Sequence, residues 1–184
     1  MEGIKFYSKL GILEKVLSGE KTMFRLVAKT NSKKLYPYKY MTGQRIAVLQ
    51  AYKDIDIDAN APVFEKNDGE LLQVRAQDSK GWNNVNAVDP QLMPHVIEIT
   101  SVRQENVQNI TDEDCFKEGI IPMDCNNLTT LDGNMPFEGY SLDGKTWLGN
   151  SPQDVYSSLA DKLIKKGVWE ENKMVDVYEF RLVK

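Results

Sequence analysis

The feature that most restricts the fold is the shortness of every regular segment that the sequence predicts. Three segments have helical character: Lys9–Ser18, a helix capped by Thr111 and ended by Gly119, and a helix that begins at Ser151. The strands predicted between them are also short, and loops rich in Gly, Pro, Asp and Asn separate them. Short strands with only three helices predict an α+β fold around a small sheet or barrel.

The length of 184 residues predicts one domain, 1–184, with insertions near 53–95 and 120–150 where the pattern is weakest. Within the first insertion we predict one short strand, near Leu71–Val74. The segment Pro122–Asn150 has no strong period and is predicted to be turn-rich. The remaining strand predictions are Ile4–Tyr7, Lys21–Ala28, Gln44–Tyr52, His95–Arg103 and Met174–Val183.

Composition excludes several classes of protein. No stretch of about 18 apolar residues occurs, so we expect no membrane partner. The charged N-terminus lacks an apolar signal core, and the only cysteines, Cys115 and Cys125, do not make a disulfide framework. Reduced thiols predict a cytoplasmic location. With one histidine, His95, neither a zinc site nor any other metal or cofactor site is predicted, and no phosphate loop or dinucleotide fingerprint occurs.

The charged residues are distributed unevenly. No acidic residue lies between Lys21 and Tyr52. Eight of the 23 basic residues lie in this segment when it is extended to Lys53. The rest of the chain therefore has 15 basic and 27 acidic residues. Basic groups bind phosphates and aromatic rings stack on bases, which suits single-stranded or flipped-out nucleic acid. A lysine-rich surface loop is the alternative. The basic residues are Lys21, Arg25, Lys29, Lys33, Lys34, Lys39, Arg45 and Lys53, interleaved with Phe24, Tyr36, Tyr38, Tyr40 and Tyr52.

Four motifs, taken in order, resemble those of the ASCH domain, a branch of the PUA-like superfamily. The first is similar to the family's helix–G-x-K-T–strand pattern, the second to its y-x-x-G-D-x-i-x-v pattern, and the third to its strand followed by a t-d-e-d-A-x-x-E-G helix. A closing strand completes the order. These motifs are Val16–Arg25, Tyr40–Val48, Ile97–Val102 with Ile110–Gly119, and Val177–Leu182.

The resemblance implies a small, closed, mixed β-barrel with helices packed on its ends. Family members are thought to bind RNA in a cleft between the first helix and the barrel. Some small members are amidohydrolases that remove the acetyl group from 4-acetylcytidine with a Lys, a Thr and a Glu. Lys21 and Glu118 match the first and last of these, but Phe24 stands at the position of the Thr. Phe has no nucleophilic oxygen, so this mechanism cannot operate unchanged.

Lys21, Arg25 and Glu118 are the first candidate ligand-binding residues, together with Phe24, whose ring offers a stacking face. Lys21 and Arg25 are four residues apart, so both side chains leave one face of a strand and can hold a phosphate at a cleft surface. Glu118 lies at a helix C-terminus, where an acid is unfavourable, and Lys21 or Arg25 is its natural partner. The alternative for these residues is therefore a structural salt bridge.

A second candidate cluster is Gly81–Asn84, in which Trp82 can stack on a base and the amide of Asn84 can read its edge. The alternative is that Trp82 covers the core. Cys115 and His95 are interpreted as structural residues.

Three functions compete at this stage. The leading prediction is a module that binds single-stranded RNA or a modified nucleotide in a basic cleft, because the acidic remainder disfavours long duplex contacts. The alternatives are an amidohydrolase acting on an acylated nucleoside, through Lys21 and Glu118, and a protein-interaction module whose insertions carry the partner surface.

Overall fold

The computed structural model describes residues 1–6, 10–29, 38–123, 139–146 and 148–183. The chain falls into two compact units: a first unit of Met1–Phe6, Gly43–Glu98 and Leu182–Lys184, and a second unit of Tyr7–Thr42 and Ile99–Arg181. The single domain predicted over 1–184 stays a prediction.

Nine strands and three α-helices follow one another along the described parts of the chain. They are β1 (Glu2–Ile4), α1 (Ile12–Ser18), β2 (Met23–Val27), β3 (Arg45–Val48), β4 (Pro62–Asn67), β5 (Glu70–Arg75), β6 (Val96–Asn106), α2 (Asp112–Lys117), β7 (Ile121–Pro122), β8 (Tyr140–Ser141), α3 (Pro152–Leu163) and β9 (Met174–Leu182).

In the first unit, β3 lies between β1, which runs parallel to it, and the start of β6, which runs antiparallel. The strands β4 and β5 form a separate hairpin. Asp68 and Gly69 make its turn with φ of 48° and 89°, the positive values that a two-residue hairpin turn requires. Only the second strand of this hairpin was predicted, and that prediction was incomplete. The Asp-Gly pair was the available signal for the first.

The core of the first unit lies beneath this hairpin. Tyr52, which a 3₁₀ turn places after β3, packs with Val63 of β4 and with Met93. Ala47 and Ala76 complete the buried cluster. Apolar side chains from distant parts of the segment 47–93 therefore give the predicted insertion a buried core.

In the second unit, β9 lies between β6 and β2, and β2 pairs with it in antiparallel register, Phe24 opposite Tyr178. The helix α2 packs against α3. Both helix starts confirm the sequence analysis, because the Thr111 hydroxyl accepts from the N–H of Asp114 and the Ser151 hydroxyl accepts from the N–H of Asp154.

The α+β class is confirmed, with three α-helices in the described parts of the chain. Across the described parts of the chain, the strands form open sheets and no closed barrel is found. None of the helices in these parts combines the length and the apolar character that crossing a bilayer requires.

Candidate functional site

Lys21 and Arg25 meet at the carboxylate of Glu118. The helix α1 ends at Gly19, whose φ of 79° turns the chain, and Lys21 follows two residues before β2. The ammonium of Lys21 donates to the backbone oxygen of Glu118 at 2.8 Å and to its Oε2. Arg25 Nη1 donates to Glu118 Oε1 at 2.7 Å. The predicted partners of this helix-terminal acid are thus confirmed.

Further charged residues extend this meeting point into a network. Arg25 Nη2 donates to Asp114 Oδ2 at 2.7 Å and to Glu105 Oε1 at 2.9 Å. Arg103 donates to the same two carboxylates. We call the six residues Lys21, Arg25, Arg103, Glu105, Asp114 and Glu118 the charge cluster. Its three cations and three carboxylates balance.

The centre of the charge cluster is closed to solvent. Lys21, Arg25 and Glu118 are only 2%, 3% and 3% exposed, so the expected cleft surface at these residues is wrong. The guanidinium carbon of Arg25 also lies 5.5 Å from the centre of the Tyr156 ring, which covers it. The helices α2 and α3 bury this face of β2, and the strand periodicity alone could not show that.

Burial and ion pairing shift the pKa values of Lys21 and Arg25 in opposite directions. Burial lowers the pKa of Lys21, and attraction to Glu118 only partly offsets this effect. For Arg25, burial acts in the same sense, but the charge of Glu118 and the hydrogen bonds to Glu105 and Glu118 outweigh it and raise the pKa. Arg25 therefore stays positively charged in spite of its burial.

The charge cluster has the geometry of a structural ion-pair network that joins two segments of the chain. Each carboxylate oxygen of Glu118 already accepts from a cation. The backbone N–H of Thr22 donates to the oxygen of Lys117 at 2.9 Å, which fastens the same two segments. A substrate or phosphate reaching this point would have to displace a paired ion in a buried environment, which is costly.

Phe24 lies away from the charge cluster, on the opposite face of β2. Its ring stacks on Tyr178 with centroids 4.9 Å apart and also contacts Tyr40 and Phe180. Adjacent strand residues point to opposite faces, so Phe24 and Arg25 are both buried but in different layers. The expectation that Phe24 offers a free stacking face is wrong.

Trp82 and Asn84 belong to the first unit. Trp82 packs against the buried cluster around Tyr52, which supports its core-covering alternative. The side-chain oxygen of Asn84 accepts from the N–H of Asn86 at 3.0 Å, and so caps a 3₁₀ turn. Neither residue joins Lys21, Arg25 and Glu118 in one unit.

The basic segment does not form one exposed surface in the residues that the structure describes. Lys21 and Arg25 are buried, and Arg45 pairs with Glu98. Of the aromatic residues, Phe24, Tyr40 and Tyr52 are buried, which removes them as stacking platforms. Lys29, Lys39 and Lys53 are exposed, whereas Lys33, Lys34 and Tyr36 lie outside the described residues.

Cys115 lies in α2 beside the cluster and is fully buried, as predicted for a small apolar residue. Burial raises the pKa of its thiol to about 12. Cys125 lies outside the described residues. Among those described, no group of His, Cys, Asp and Glu side chains could hold a metal ion.

An open cavity of about 710 Å³ lies beside α1 in the second unit. Lys15 of α1 and Lys162 of α3 reach it, and the carboxylates at its wall are Glu14, Glu20 and Asp143. The apolar part of its lining consists of Leu10, Ile121, Leu142, Leu148 and Leu159. Sequence reasoning missed this cavity, because segments far apart in the chain form it and no local pattern marks them.

Lys15 separates the cavity from the charge cluster. Its ammonium pairs with Glu20 at 2.9 Å, and its backbone oxygen accepts from the N–H of Lys21. Gly119 packs so closely at this point that an added Cβ would lie 3.0 Å from the Lys15 side chain and 3.6 Å from that of Lys21. The closed cluster and the open cavity are therefore neighbours with one side chain between them.

Comparisons of this chain with protein-family models, with curated proteins and with solved structures gave no match. The resemblance to the ASCH domain stays a prediction carried by its four motifs. The function that the resemblance implies is a proposal, and so is any function inferred from the geometry of the cavity.

Proposed function

We propose that this chain is a binding module for a nucleotide-sized ligand, a modified nucleotide or the exposed end of a single RNA strand, held in the cavity beside α1. The observation that carries the proposal is the cavity itself, an open volume of about 710 Å³ lined by both apolar and charged side chains. The proposal keeps the predicted class of ligand and moves its site away from Lys21 and Arg25.

The size and lining of the cavity support a ligand of this class. Small-molecule sites usually have volumes of about 300–1,000 Å³, with apolar walls and few polar groups. Leu142, Leu148 and Leu159 provide an apolar surface for a base. The carboxylate of Glu14, which is exposed, can accept hydrogen bonds from sugar hydroxyls or from a base amino group.

The charge of the cavity lining favours one nucleotide unit over a long strand. Lys162 is exposed, and no described carboxylate forms a salt bridge with it, so it is available to a phosphate. Three carboxylates against two lysines make the lining net acidic, which disfavours a chain of phosphates.

The family arrangement proposed from the sequence is consistent with this location. In ASCH domains the ligand cleft adjoins the first helix, and α1 of this chain lines the cavity. We include in the proposal a PUA-like fold and a cytoplasmic location. The element order from α1 through Gly19 and Lys21 into β2 supports the fold, and the buried free thiol of Cys115 is compatible with a reducing compartment.

An amidohydrolase acting on an acylated nucleoside is the second candidate. One observation favours it: Lys21, with a pKa lowered by burial, contacts Glu118, as a base and its partner do in a catalytic pair. Against it, Glu118 is shared with Arg25 and the pair is closed to solvent. We therefore propose binding without efficient turnover.

Calorimetric titration with cytidine, cytidine monophosphate, 4-acetylcytidine and an oligocytidine tests the proposal at two salt concentrations. We expect binding that weakens as salt rises for the phosphate-bearing ligands. Lys162→Ala should weaken binding of the monophosphate several-fold, and the matched control Lys165→Ala, just beyond α3 and outside the cavity lining, should not.

Two results would contradict the proposal. One is the absence of heat with all four ligands at low salt. The other is equal affinity for the Lys162→Ala and Lys165→Ala variants, which would move the site elsewhere. Release of cytidine from 4-acetylcytidine by the natural sequence, abolished in Glu118→Gln, would favour the amidohydrolase.

A further inference from the structure

One of the two described lysines that line the cavity beside α1 already has an anionic partner. Lys15 Nζ donates to Glu20 Oε2 at 2.9 Å, whereas Lys162 forms no salt bridge with a described carboxylate. Glu20 is held a second time, since the Ser18 hydroxyl donates to its Oε1 at 3.0 Å. The described lining therefore offers a ligand one free cation, although it contains two.

The two members of this ion pair differ in their exposure. The Lys15 side chain is 10% exposed, and the Glu20 side chain is 56% exposed. Lys15 packs against Gly119 so closely that an added Cβ at position 119 would lie 3.0 Å from the Lys15 Cδ. The lysine is therefore enclosed by protein, and the carboxylate is the member of the pair that water can solvate.

Removal of the Glu20 charge would leave a largely buried ammonium without an anion. An unpaired buried charge is unfavourable, so the Lys15 ammonium would then favour an anion that enters the cavity. While Glu20 is present, an anion at Lys15 must break the ion pair and lie beside the displaced carboxylate. The hydrogen bonds from Lys15 and Ser18 lower the pKa of Glu20, so this competing carboxylate is ionised at neutral pH.

We propose that Glu20 is a specificity-determining residue of the cavity, which restricts the ligand to one phosphate group. Lys162 meets that phosphate, and Glu20 withholds Lys15 from a second one. This role of Glu20 rests on the proposed function, because it concerns the same cavity and the same class of ligand. It adds that the cavity prefers a nucleoside monophosphate to the corresponding diphosphate.

Calorimetric titration of the full chain with cytidine monophosphate and cytidine diphosphate tests the proposal. We expect the natural sequence to bind the monophosphate more tightly. Glu20→Gln keeps the size of the side chain and removes its charge. In this variant the affinity for the diphosphate should rise about tenfold relative to that for the monophosphate, the order expected for one added charge-assisted hydrogen bond. Thermal melts without ligand check that the variant is folded.

Glu171→Gln is the matched control for the loss of one negative charge. Glu171 pairs with Lys173, also at 2.9 Å, and its side chain is 60% exposed, but it lies outside the described cavity lining. We expect this variant to leave the ratio of the two affinities unchanged. Ser18→Ala loosens Glu20 without changing the charge of the chain, and it should raise the ratio in the same direction as Glu20→Gln but by less.

The role of Glu20 is overturned if Glu20→Gln and Glu171→Gln give the same ratio of affinities, or if the natural sequence already prefers the diphosphate. Monophosphate binding that Lys162→Ala weakens would in either case leave the proposed function standing. Absence of binding of both nucleotides to the natural sequence and to Glu20→Gln would overturn both proposals.

Pyrophosphate is a second probe, which requires no base or sugar. A ligand that binds only the folded state raises the melting temperature. We expect pyrophosphate to raise it more for Glu20→Gln than for the natural sequence or for Glu171→Gln. Equal shifts in the three proteins would show that removing the Glu20 charge does not make Lys15 available to a second phosphate.

Discussion

The charge cluster and the cavity beside α1 are neighbours in the second unit, yet they are opposite kinds of site. In the cluster, every carboxylate oxygen of Glu118 already has a cation, and Lys21 and Arg25 are nearly inaccessible. In the cavity, the volume is open and Lys162 has no described salt bridge. The residues that stand out in the sequence are therefore the ones least able to meet a ligand.

The difference between the charge cluster and the cavity follows from the free-energy cost of burying a charged side chain. A buried ion must be paired and hydrogen-bonded, because removing it from water costs several kcal/mol, on the order of what good geometry returns. A binding site instead needs groups whose partners are still missing. A Lys and an Arg that converge on a Glu are compatible with a structural ion pair and with a binding site, and burial decides between the two.

The largest expected effect is the loss of stability in Arg25→Ala. The substitution leaves Glu118, Asp114 and Glu105 without their shared guanidinium, and breaking a buried ion pair from one side costs about 3–5 kcal/mol. Chemical denaturation followed by circular dichroism measures the change in the free energy of unfolding.

The control for this prediction is Arg45→Ala, which removes an arginine whose side chain is largely exposed and pairs with Glu98 at 3.4 Å. Exposed pairs of this kind contribute about 0–1 kcal/mol. Equal stability of the two variants would mean that Arg25 is accessible to water after all, and the distinction between cluster and cavity would fail.

The second prediction concerns Phe24, which stands where the proposed resemblance to the ASCH domain places a threonine. Phe24→Thr should destabilise the protein by about 3 kcal/mol or more, because a buried ring stacked on Tyr178 is replaced by a smaller polar side chain. It should gain no deacetylase activity, since a hydroxyl on this face of β2 is not directed at Glu118.

Denaturation curves and an assay of cytidine release from 4-acetylcytidine test both parts. Phe64→Thr is the matched control, and we expect it to stay within about 0.5 kcal/mol because Phe64 is exposed. Cytidine release by Phe24→Thr would show that position 24 reaches the charge cluster, and the cluster would then be a disabled active site.

The charge cluster also shows what the sequence can and cannot predict. The even spacing of Lys21 and Arg25, and the acid at the end of α2, correctly predicted that the three side chains meet. Their burial was not predictable, because it depends on how α2 and α3 cover the strand. Strand periodicity predicts which face of the strand a side chain occupies, but it does not predict whether that face is buried.

The sequence correctly predicted features that depend only on neighbouring residues, such as helix ends. The caps Thr111 and Ser151, and the turn at Gly19, place the helix ends as the sequence indicated. The strand β4 was missed although its Asp68–Gly69 turn was visible. The cavity had no such signal, since α1, α3 and the residues around Leu142 come together only in the fold.

The third prediction measures the coupling between Lys21 and Glu118. A cycle of Lys21→Met, Glu118→Gln and the double variant should give an interaction energy of about 1–3 kcal/mol, because the residues are in direct contact and nearly inaccessible. The double variant removes both charges, so it should be more stable than the sum of the single effects implies. Additive effects would indicate that water screens the pair.

The smallest expected effect is at Cys115, whose thiol reports whether the interior beside the cluster excludes water. In a Cys125→Ser background, we expect a thiol reagent to label Cys115 only as fast as the protein unfolds. Because burial raises the thiol's pKa from 9.0 to about 12, the folded state disfavours the thiolate. The stability contributed by the neutral thiol is therefore present below pH 9 and is lost as pH rises from 9 towards 12.

Cys115→Ala in the same background is the matched control, because it keeps a small apolar side chain but cannot titrate. Other groups, including Tyr178, titrate in the same range, so the informative quantity is the difference between the two stability–pH curves. We expect the Cys115 protein to lose stability faster above pH 9, by at most about 1.4 kcal/mol between pH 9 and pH 10, the range of the comparison. Parallel curves, together with rapid labelling of the folded protein at neutral pH, would mean that water reaches α2 from the neighbouring cavity. The charge cluster and the cavity would then be two parts of one open site.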